Sequence, residues 1–503
     1  MTRAARPLEA VAVCVALLLV SVIATGGFTV AGRSFTRADE FVIVLAVIVA
    51  LRTLAPPLRL PQVSPARVAV LGAFGYALVM GFIVVTGHLA LRTHALDLGY
   101  YVQVVWSMAA GRGAYVTLPP MNAWGDHLSP VLYLLVPLGR AAPGAIGLVV
   151  VQTLALAAGG LAVFGYAARR LGAAPVAGAF ALLFLVNPSL HGINIRDIHP
   201  QAFAITLIVA AALAFDAGRY AWCAAALVLT LSCREDAAVA VVGFGIWLAV
   251  ARKHWRLGAA VAAASVLVLA FDLKYLMPLF RGEPYPHLHR YAYLGSSLGE
   301  ILLNIVVRPW RWIGVALTGG KLVYLLVILL PLGFLPLLAP RVLLAALPGL
   351  AMNLLSIDPV LANFRSQYQA FVLPFLMLAA VDGYTRIRDW RRAPAVLAVG
   401  FFASVLLTAR TTNDLMITRW RLDSWQRAAY SLMRRIPDDV AVSANERLVP
   451  HLATRRQIFV YPTGVGISEY VLDLEPVLRT QPANGYREIG RGGGWILLQR
   501  GGA

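Results

Sequence analysis

The sequence predicts an all-α polytopic membrane protein of about thirteen transmembrane helices, followed by a small C-terminal α/β domain outside the membrane. Three observations predict it. Hydrophobic residues make up 59% of the 503 residues and charged residues only 13%, whereas a water-soluble domain is about a quarter charged. The mean hydropathy is +0.74. Apolar runs of bilayer length recur along most of the chain. A soluble fold, a disordered chain and a fibrous repeat are excluded by that balance.

The formal net charge of +19 would point to nucleic acid in a soluble protein. Here Lys and Arg that anchor loops to an anionic membrane surface explain the excess, and no nucleic-acid partner is expected. Cys14, Cys223 and Cys233 fall inside apolar runs. They offer neither a disulfide framework nor a metal-binding spacing.

The apolar runs, taken between breakers, are 10–31, 39–54, 67–90, 143–167, 173–188, 200–216, 219–233, 236–251, 257–275, 321–339, 341–356, 367–383 and 393–409. Arg3 and Arg6 precede the first run as they would a signal peptide, but its apolar stretch is long and Ala24-Thr25-Gly26 is a poor cleavage site. It is read as a helix. With the amino terminus in the cytoplasm, the inward connections carry Arg52, Arg59 and Arg67, then Arg169 and Arg170, then Arg219. They continue with Arg252, Lys253 and Arg256, then Arg341, then Arg386, Arg388, Arg391 and Arg392. Every inward turn then has a cation, as the positive-inside rule asks. The outward connections, 91–142, 189–199, the turn near 233–236, 276–320, 357–366 and the tail after 410, hold most of the other acidic, His and aromatic residues.

Two outward segments, Leu98–Ala110 and Ser297–Trp312, have helical apolar periodicity beside Tyr and Trp. They suit either helices lying along the membrane surface or helices packed inside an outer domain. After Arg410 the composition suits water. Ser424–Arg435 reads as helix, and 440–443, Ile458–Tyr461 and Tyr470–Leu474 as strands. Tyr486–Ile489 and Trp495–Gln499 flank a glycine run as a hairpin. Three regions follow: 1–66, with the N-terminal helices and a cytoplasmic loop; the transmembrane core 67–409; and the outer α/β domain 410–503. No internal repeat marks a transporter with duplicated halves.

Ionisable residues at membrane-helix ends are costly unless they serve structure or function. Four clusters fall on the outward side: His94 with Asp97; Asp126 with His127; Asp197 with His199; and Arg234, Glu235 and Asp236. Each has a plain reading, as a helix cap, a paired loop or a solvated turn. Group transfer from a phosphate-linked lipid would use the same residue types. It needs a carboxylate to deprotonate the acceptor hydroxyl, a cation to hold the phosphate leaving group, and an apolar groove for the lipid tail. Phosphate leaves without strong protonation, so one base suffices for an inverting displacement. Asp97 or Asp126 would be that base, and Arg234 offers a planar fork for phosphate. His127 and His199 would bind phosphate, orient a carboxylate or ligate a metal. The Asp/His/Glu set admits a divalent cation as cofactor, with no diagnostic spacing.

The succession D-L-G-Y-Y-x-Q, G-D-H-L-S-P, D-I-H-P-Q and C-R-E-D resembles a family of prokaryotic membrane proteins defined by a conserved domain of unknown function. That family is similar to the GT-C glycosyltransferases. The likeness runs from about Arg92 to Gln369 and takes in Arg365-Ser-Gln367-Tyr368-Gln369, with Val449-Pro450-His451-Leu452 in the tail. GT-C enzymes of the protein mannosyltransferase and aminoarabinose transferase kind place a catalytic acidic motif in the first large outer loop. They use polyprenyl-phosphate sugars on the non-cytoplasmic side. On that pattern Asp97 matches the first acidic position and would be the general base. The chain departs where Tyr100, Tyr101 and Gln103 replace a closely following second acid, and in having two runs ahead of the one that enters the loop.

The resemblance implies a GT-C-like glycosyltransferase in a bacterial or archaeal plasma membrane, with a cytoplasmic amino terminus and an outer tail. It would move sugar from a polyprenyl-phosphate donor in the bilayer to an acceptor in the cell envelope. Asp97 and Asp126 are the candidate catalytic residues. His127, Asp197, His199, Arg234, Glu235, Asp236, Arg365 and Tyr368 are the candidate binding residues. The competing expectation is a transporter or flippase for a lipid-linked or anionic solute, using the same charges as a relay.

Overall fold

The computed structural model describes residues 5–52, 63–172 and 174–501. Arg3, Arg59, the end of the 39–54 run and position 173 lie outside the described residues. Among the described residues, five helices are long and apolar enough to cross a bilayer: Pro7–Thr25, Pro65–Leu89, Ala145–Leu171, Trp255–Arg281 and Ala393–Leu415. Two bent pairs add to them, Pro175–Leu185 with Pro188–Ile195 at 41° and Trp310–Ala316 with Gly319–Leu332 at 63°. Length and composition therefore support five crossings, or seven with the bent pairs, fewer than the thirteen apolar runs. Other runs form shorter helices, among them Ala202–Asp216, Tyr220–Leu231 and Leu373–Tyr384.

Local chemistry explains the breaks. At Asn187-Pro188 the Asn side chain accepts from Ser189 N at 3.0 Å, capping a new helix that proline starts. Past Leu329 the run 321–339 becomes two 3-10 turns holding Pro331 and Pro336, which cannot donate to a helical ladder. The first helix, Ala5–Thr25, starts before the 10–31 run and stops short of its end. Its helix ends at Thr25, where Gly26 and Gly27 take φ of +86° and +134°. A hairpin pairing Phe28–Val30 with Arg33–Phe35 follows. Leu17, Leu71, Phe74, Trp222, Leu267 and Val306 stand exposed, an apolar periphery that a lipid environment would cover.

The two segments with alternative readings separate. Tyr100–Ala109 is buried on nearly every side, so it is a packed helix and not a surface one. Leu298–Val307, capped by Ser297 accepting from Glu300 N, leaves Leu302, Leu303 and Val306 exposed and buries only Ile301. The tail forms a five-stranded sheet in the order Ile458–Val460, Val442–Ala444, Tyr470–Leu474, Trp495–Arg500, Tyr486–Gly492. The first three strands are parallel, and the hairpin extends the sheet antiparallel. Ser424–Met433 packs against the hairpin behind a capping box from Asp423 and Gln426.

One helix spans two polar layers. Near the start of Ala145–Leu171, Gln152 Nε2 donates to Asp197 O at 2.9 Å, and its Oε1 accepts from His199 N at 2.8 Å. At its other end Arg170 Nε donates to Asp382 at 2.8 Å, beside an Arg252–Asp216 pair at 2.7 Å. From Gln152 to Arg170 is about 27 Å at roughly 1.5 Å per residue, close to the hydrocarbon thickness of about 30 Å. Several cations of the basic connections are thus committed to Asp216 and Asp382 and not to lipid headgroups. The outward-assigned clusters lie at the opposite end.

Candidate active site

Asp97 sits in a π-helical turn, Ala95–Gly99, between the Pro65–Leu89 and Tyr100–Ala109 helices. Such turns re-aim a side chain and recur at functional sites. Its Oδ1 lies 3.3 Å from His199 Nε2, and its side chain is 49% exposed while that of His199 is 5% exposed. The neighbouring Asp197 adopts φ +61°, a left-handed conformation that Asp tolerates better than most residues. That twist lets its carboxylate accept from His94 N at 3.1 Å, with His94 Nδ1 at 3.4 Å. The first and third sequence clusters are therefore one unit, braced by Gln152.

The second and fourth clusters form another. Val131 N donates to Ser232 O at 2.8 Å, which draws the 126–135 loop onto the turn before Arg234. His127 Nδ1 then donates to Glu235 Oε1 at 3.1 Å, and Leu128 N donates to Oε2 at 3.1 Å. Tyr285 OH donates to the same Oε1 at 3.1 Å. Asp126 Oδ1 faces His287 Nε2 at 3.5 Å, and the His127 and His287 rings stack at 4.8 Å and 11°. Gly125 makes this approach possible, because a Cβ there would fall 2.9 Å from the Arg281 backbone. Tyr101, buried between the units, feels the charges of Arg234, Asp126, Asp97 and Glu235 together. All four clusters thus meet at one end of the bundle.

Electrostatics divides the carboxylates. The recess around Asp97 opposes ionisation, yet His199, with His94 and Arg196 further out, holds its carboxyl below the usual carboxylate range. Burial likewise opposes ionisation of Asp126, and His287, His127 and Arg281 overcome it, bringing the group to about 2. Burial raises Asp197 despite its His94 partner. Glu235 is held low against burial by His127 and Arg234. Asp97 and Asp126 are both ionised at neutral pH, and Asp97 is the more accessible.

Beside this polar centre opens a cavity of about 310 Å³. Val239, Val266, Leu269, Leu302 and Met352 make much of its wall. Its polar edge carries Asp236, Tyr285, His287, Arg290 and Tyr368. Arg234 is not at that edge. It is almost fully buried, donating through Nε to Asp236 at 2.7 Å and through Nη2 to the same carboxylate, over one side of the Tyr368 ring. Arg290 is the cation that lines the cavity, 5.3 Å from the Tyr368 centroid and 3.4 Å from Asp358. Arg365 stands apart from the cavity lining, its backbone pressed against Gly192 and its charge felt with those of Arg196, Asp414 and Arg410. Tyr285, His287 and Arg290 were not among the residues expected from sequence. The signal was the run Tyr285-Pro-His-Leu-His-Arg290-Tyr291 in the 276–320 connection.

The fold and this site define the class: a polytopic membrane protein whose polar centre abuts an apolar cavity, with the fold of ArnT from Cupriavidus metallidurans. Crystal structures of ArnT bound to undecaprenyl phosphate and in the apo state each superpose with a TM-score of 0.53 at 14% identity. Each covers 86% of this chain and 99% of ArnT. No curated protein matches the chain. The chain belongs to the DUF2079 family of predicted membrane proteins, whose profile matches residues 87–479. The resemblance read from the D-L-G-Y-Y-x-Q to C-R-E-D succession is thus borne out for the family and, through ArnT, for the GT-C fold.

Proposed function

We propose that this chain is a GT-C-like glycosyltransferase that moves a sugar from a polyprenyl-phosphate donor to an acceptor outside the cytoplasm. The observation that carries the reading is the polar centre of Asp126, His127, Glu235 and His287 beside an apolar cavity edged by Arg290, with the ionised, accessible Asp97 close enough that Tyr101 feels its charge together with those of Asp126, Glu235 and Arg234. The ArnT fold, seen with undecaprenyl phosphate in ArnT, supports it. Asp97 takes the proton of the acceptor hydroxyl as that oxygen forms a bond to the anomeric carbon. The bond from that carbon to the phosphate oxygen breaks, and the polyprenyl phosphate leaves with the electron pair. Configuration inverts in a single displacement. Arg290 stabilises the departing anion, while Arg234 positions Asp236 and Tyr368 beneath it. His199 orients Asp97. The polar centre faces away from the cytoplasm on this reading, which the basic inward connections support.

A flippase would need its charges as a relay through the membrane, whereas here they gather at one end of the helices. The test is transfer of radiolabelled sugar from polyprenyl-phosphate donors by the purified chain. Asp97→Asn is expected to lower turnover by about 10²–10⁴-fold with an unchanged melting temperature. Turnover like that of the wild type would remove Asp97 as the base.

A further inference from the structure

We propose that the cleft between the Tyr100–Ala109 helix and the outer sheet binds a saccharide that carries an acidic group, with Arg112 and Arg456 holding its charge. The cleft encloses about 520 Å³, within the roughly 300–1,000 Å³ of small-molecule sites. It lies at the far end of that helix from the turn that carries Asp97, and none of its lining residues is shared with the apolar cavity.

Both walls are fixed by the fold. Arg112 N donates to Ser107 O at 2.9 Å between Gly111 and Gly113, whose φ of +74° and +67° close the turn. The Arg112 guanidinium stacks on the Trp106 ring at 3.9 Å, which leaves its N–H edge open. On the other wall Gln103 Nε2 donates to the backbone oxygens of Arg455 and Arg456 at 3.2 and 3.4 Å, and Thr117 Oγ1 donates to that of Ile458 at 2.6 Å. Docking of the tail therefore brings two arginines to one cleft, and Arg112 feels the charge of Arg456.

That approach is unfavourable as it stands. Among the described residues neither guanidinium has an ion-pair partner. An acidic group between them removes the repulsion and accepts from both forks. Asp439 and Glu469 share the cleft, so two carboxylates offset two arginines. A bare anion gains little from that balance. A ligand with hydroxyls around its acid gives the carboxylates donors to accept from. Ser107 points the same way: it is 4% exposed, it lines the cleft, and its hydroxyl has no hydrogen-bond partner among the described residues. Gln457 adds an amide, and Tyr115 an exposed ring. Hydroxyls beside an acidic group are what a sugar acid presents. The site involves no catalytic step and stands apart from the transferase reading.

The experiment titrates the full chain in detergent with digalacturonate, maltose and inorganic phosphate by calorimetry. Digalacturonate is expected to bind at one per chain, and the other two about tenfold or more weakly. Arg112→Gln and Arg456→Gln should each weaken digalacturonate binding about 10–100-fold. Arg487→Gln removes the same charge from the exposed hairpin and should leave binding unchanged. Arg112→Lys keeps the cation without its fork and should still weaken binding. Each variant is required to melt at the wild-type temperature. Failure of digalacturonate to bind, or binding that survives both Gln substitutions together, overturns the site. Maltose or phosphate binding as tightly as digalacturonate overturns the ligand class.

Discussion

Asp126 shows how a single group links the site to stability. Its carboxyl sits at about 2 in the folded chain against 3.8 when free, so the native state favours the charged form. That preference contributes of order 2 kcal/mol above pH 4 and is lost as pH falls from about 4 towards 2. Melting temperatures should fall more steeply over that window in wild type than in Asp126→Asn; parallel curves would contradict the assignment. Much of the candidate site was legible as residues that gather together, because carboxylates, imidazoles and arginines at membrane-helix ends are conspicuous against an apolar chain. Arg290 was not. Its place at the cavity depends on the 276–320 connection folding back onto Tyr368, a long-range approach that local spacing does not encode. Arg234 looked like a phosphate fork by type, yet its Asp236 partner is only two residues away and occupies it.

At the scale of elements, close contacts between backbones hold the polar centre together. A Cβ on Gly192 would fall 2.5 Å from Arg365 Cα. Neither partner can yield by rotating a side chain. Gly192→Ala should therefore destabilise the chain by about 1–3 kcal/mol through overpacking, seen as a lower melting temperature in detergent, while Gly314→Ala, in a helix where the added Cβ meets no atom, offers the spatial contrast. Apolar runs revealed where helices exist, but not which of them cross. Leu373–Tyr384 is apolar and wholly buried, and its composition is the same whether it ends inside a bundle or at a membrane face. The hairpins at 28–35 and 115–122 escaped notice because three-residue strands carry too little alternation to be read.

Across the whole molecule the tail is tied to the core by polar contacts. Gln103 Nε2 donates to Thr117 Oγ1 at 3.0 Å and to Arg455 O at 3.2 Å, and Thr117 Oγ1 donates to Ile458 O at 2.6 Å. His451 stacks on His88 at 3.9 Å, and burial, with the charge of His88, pushes it down to about 3, so it stays neutral. Gln103→Ala strands buried partners and should cost about 1–3 kcal/mol. Limited proteolysis should then release a fragment beginning near residue 410 faster than from wild type; identical digestion would mean the tail is held elsewhere. Composition revealed the tail's water-facing character and most of its strands, but not this docking, which joins residues some 350 positions apart.

Val449 rests against Gly99, where a Cβ would fall only 3.0 Å from its methyl group, and Gly99 ends the turn that carries Asp97. A truncation meant to isolate the outer module would consequently strip scaffolding from beneath the proposed base. Inactivity of such a shortened protein would report a collapsed support as readily as a missing acceptor platform, and the cleaner dissection is by point changes on the far side of the sheet.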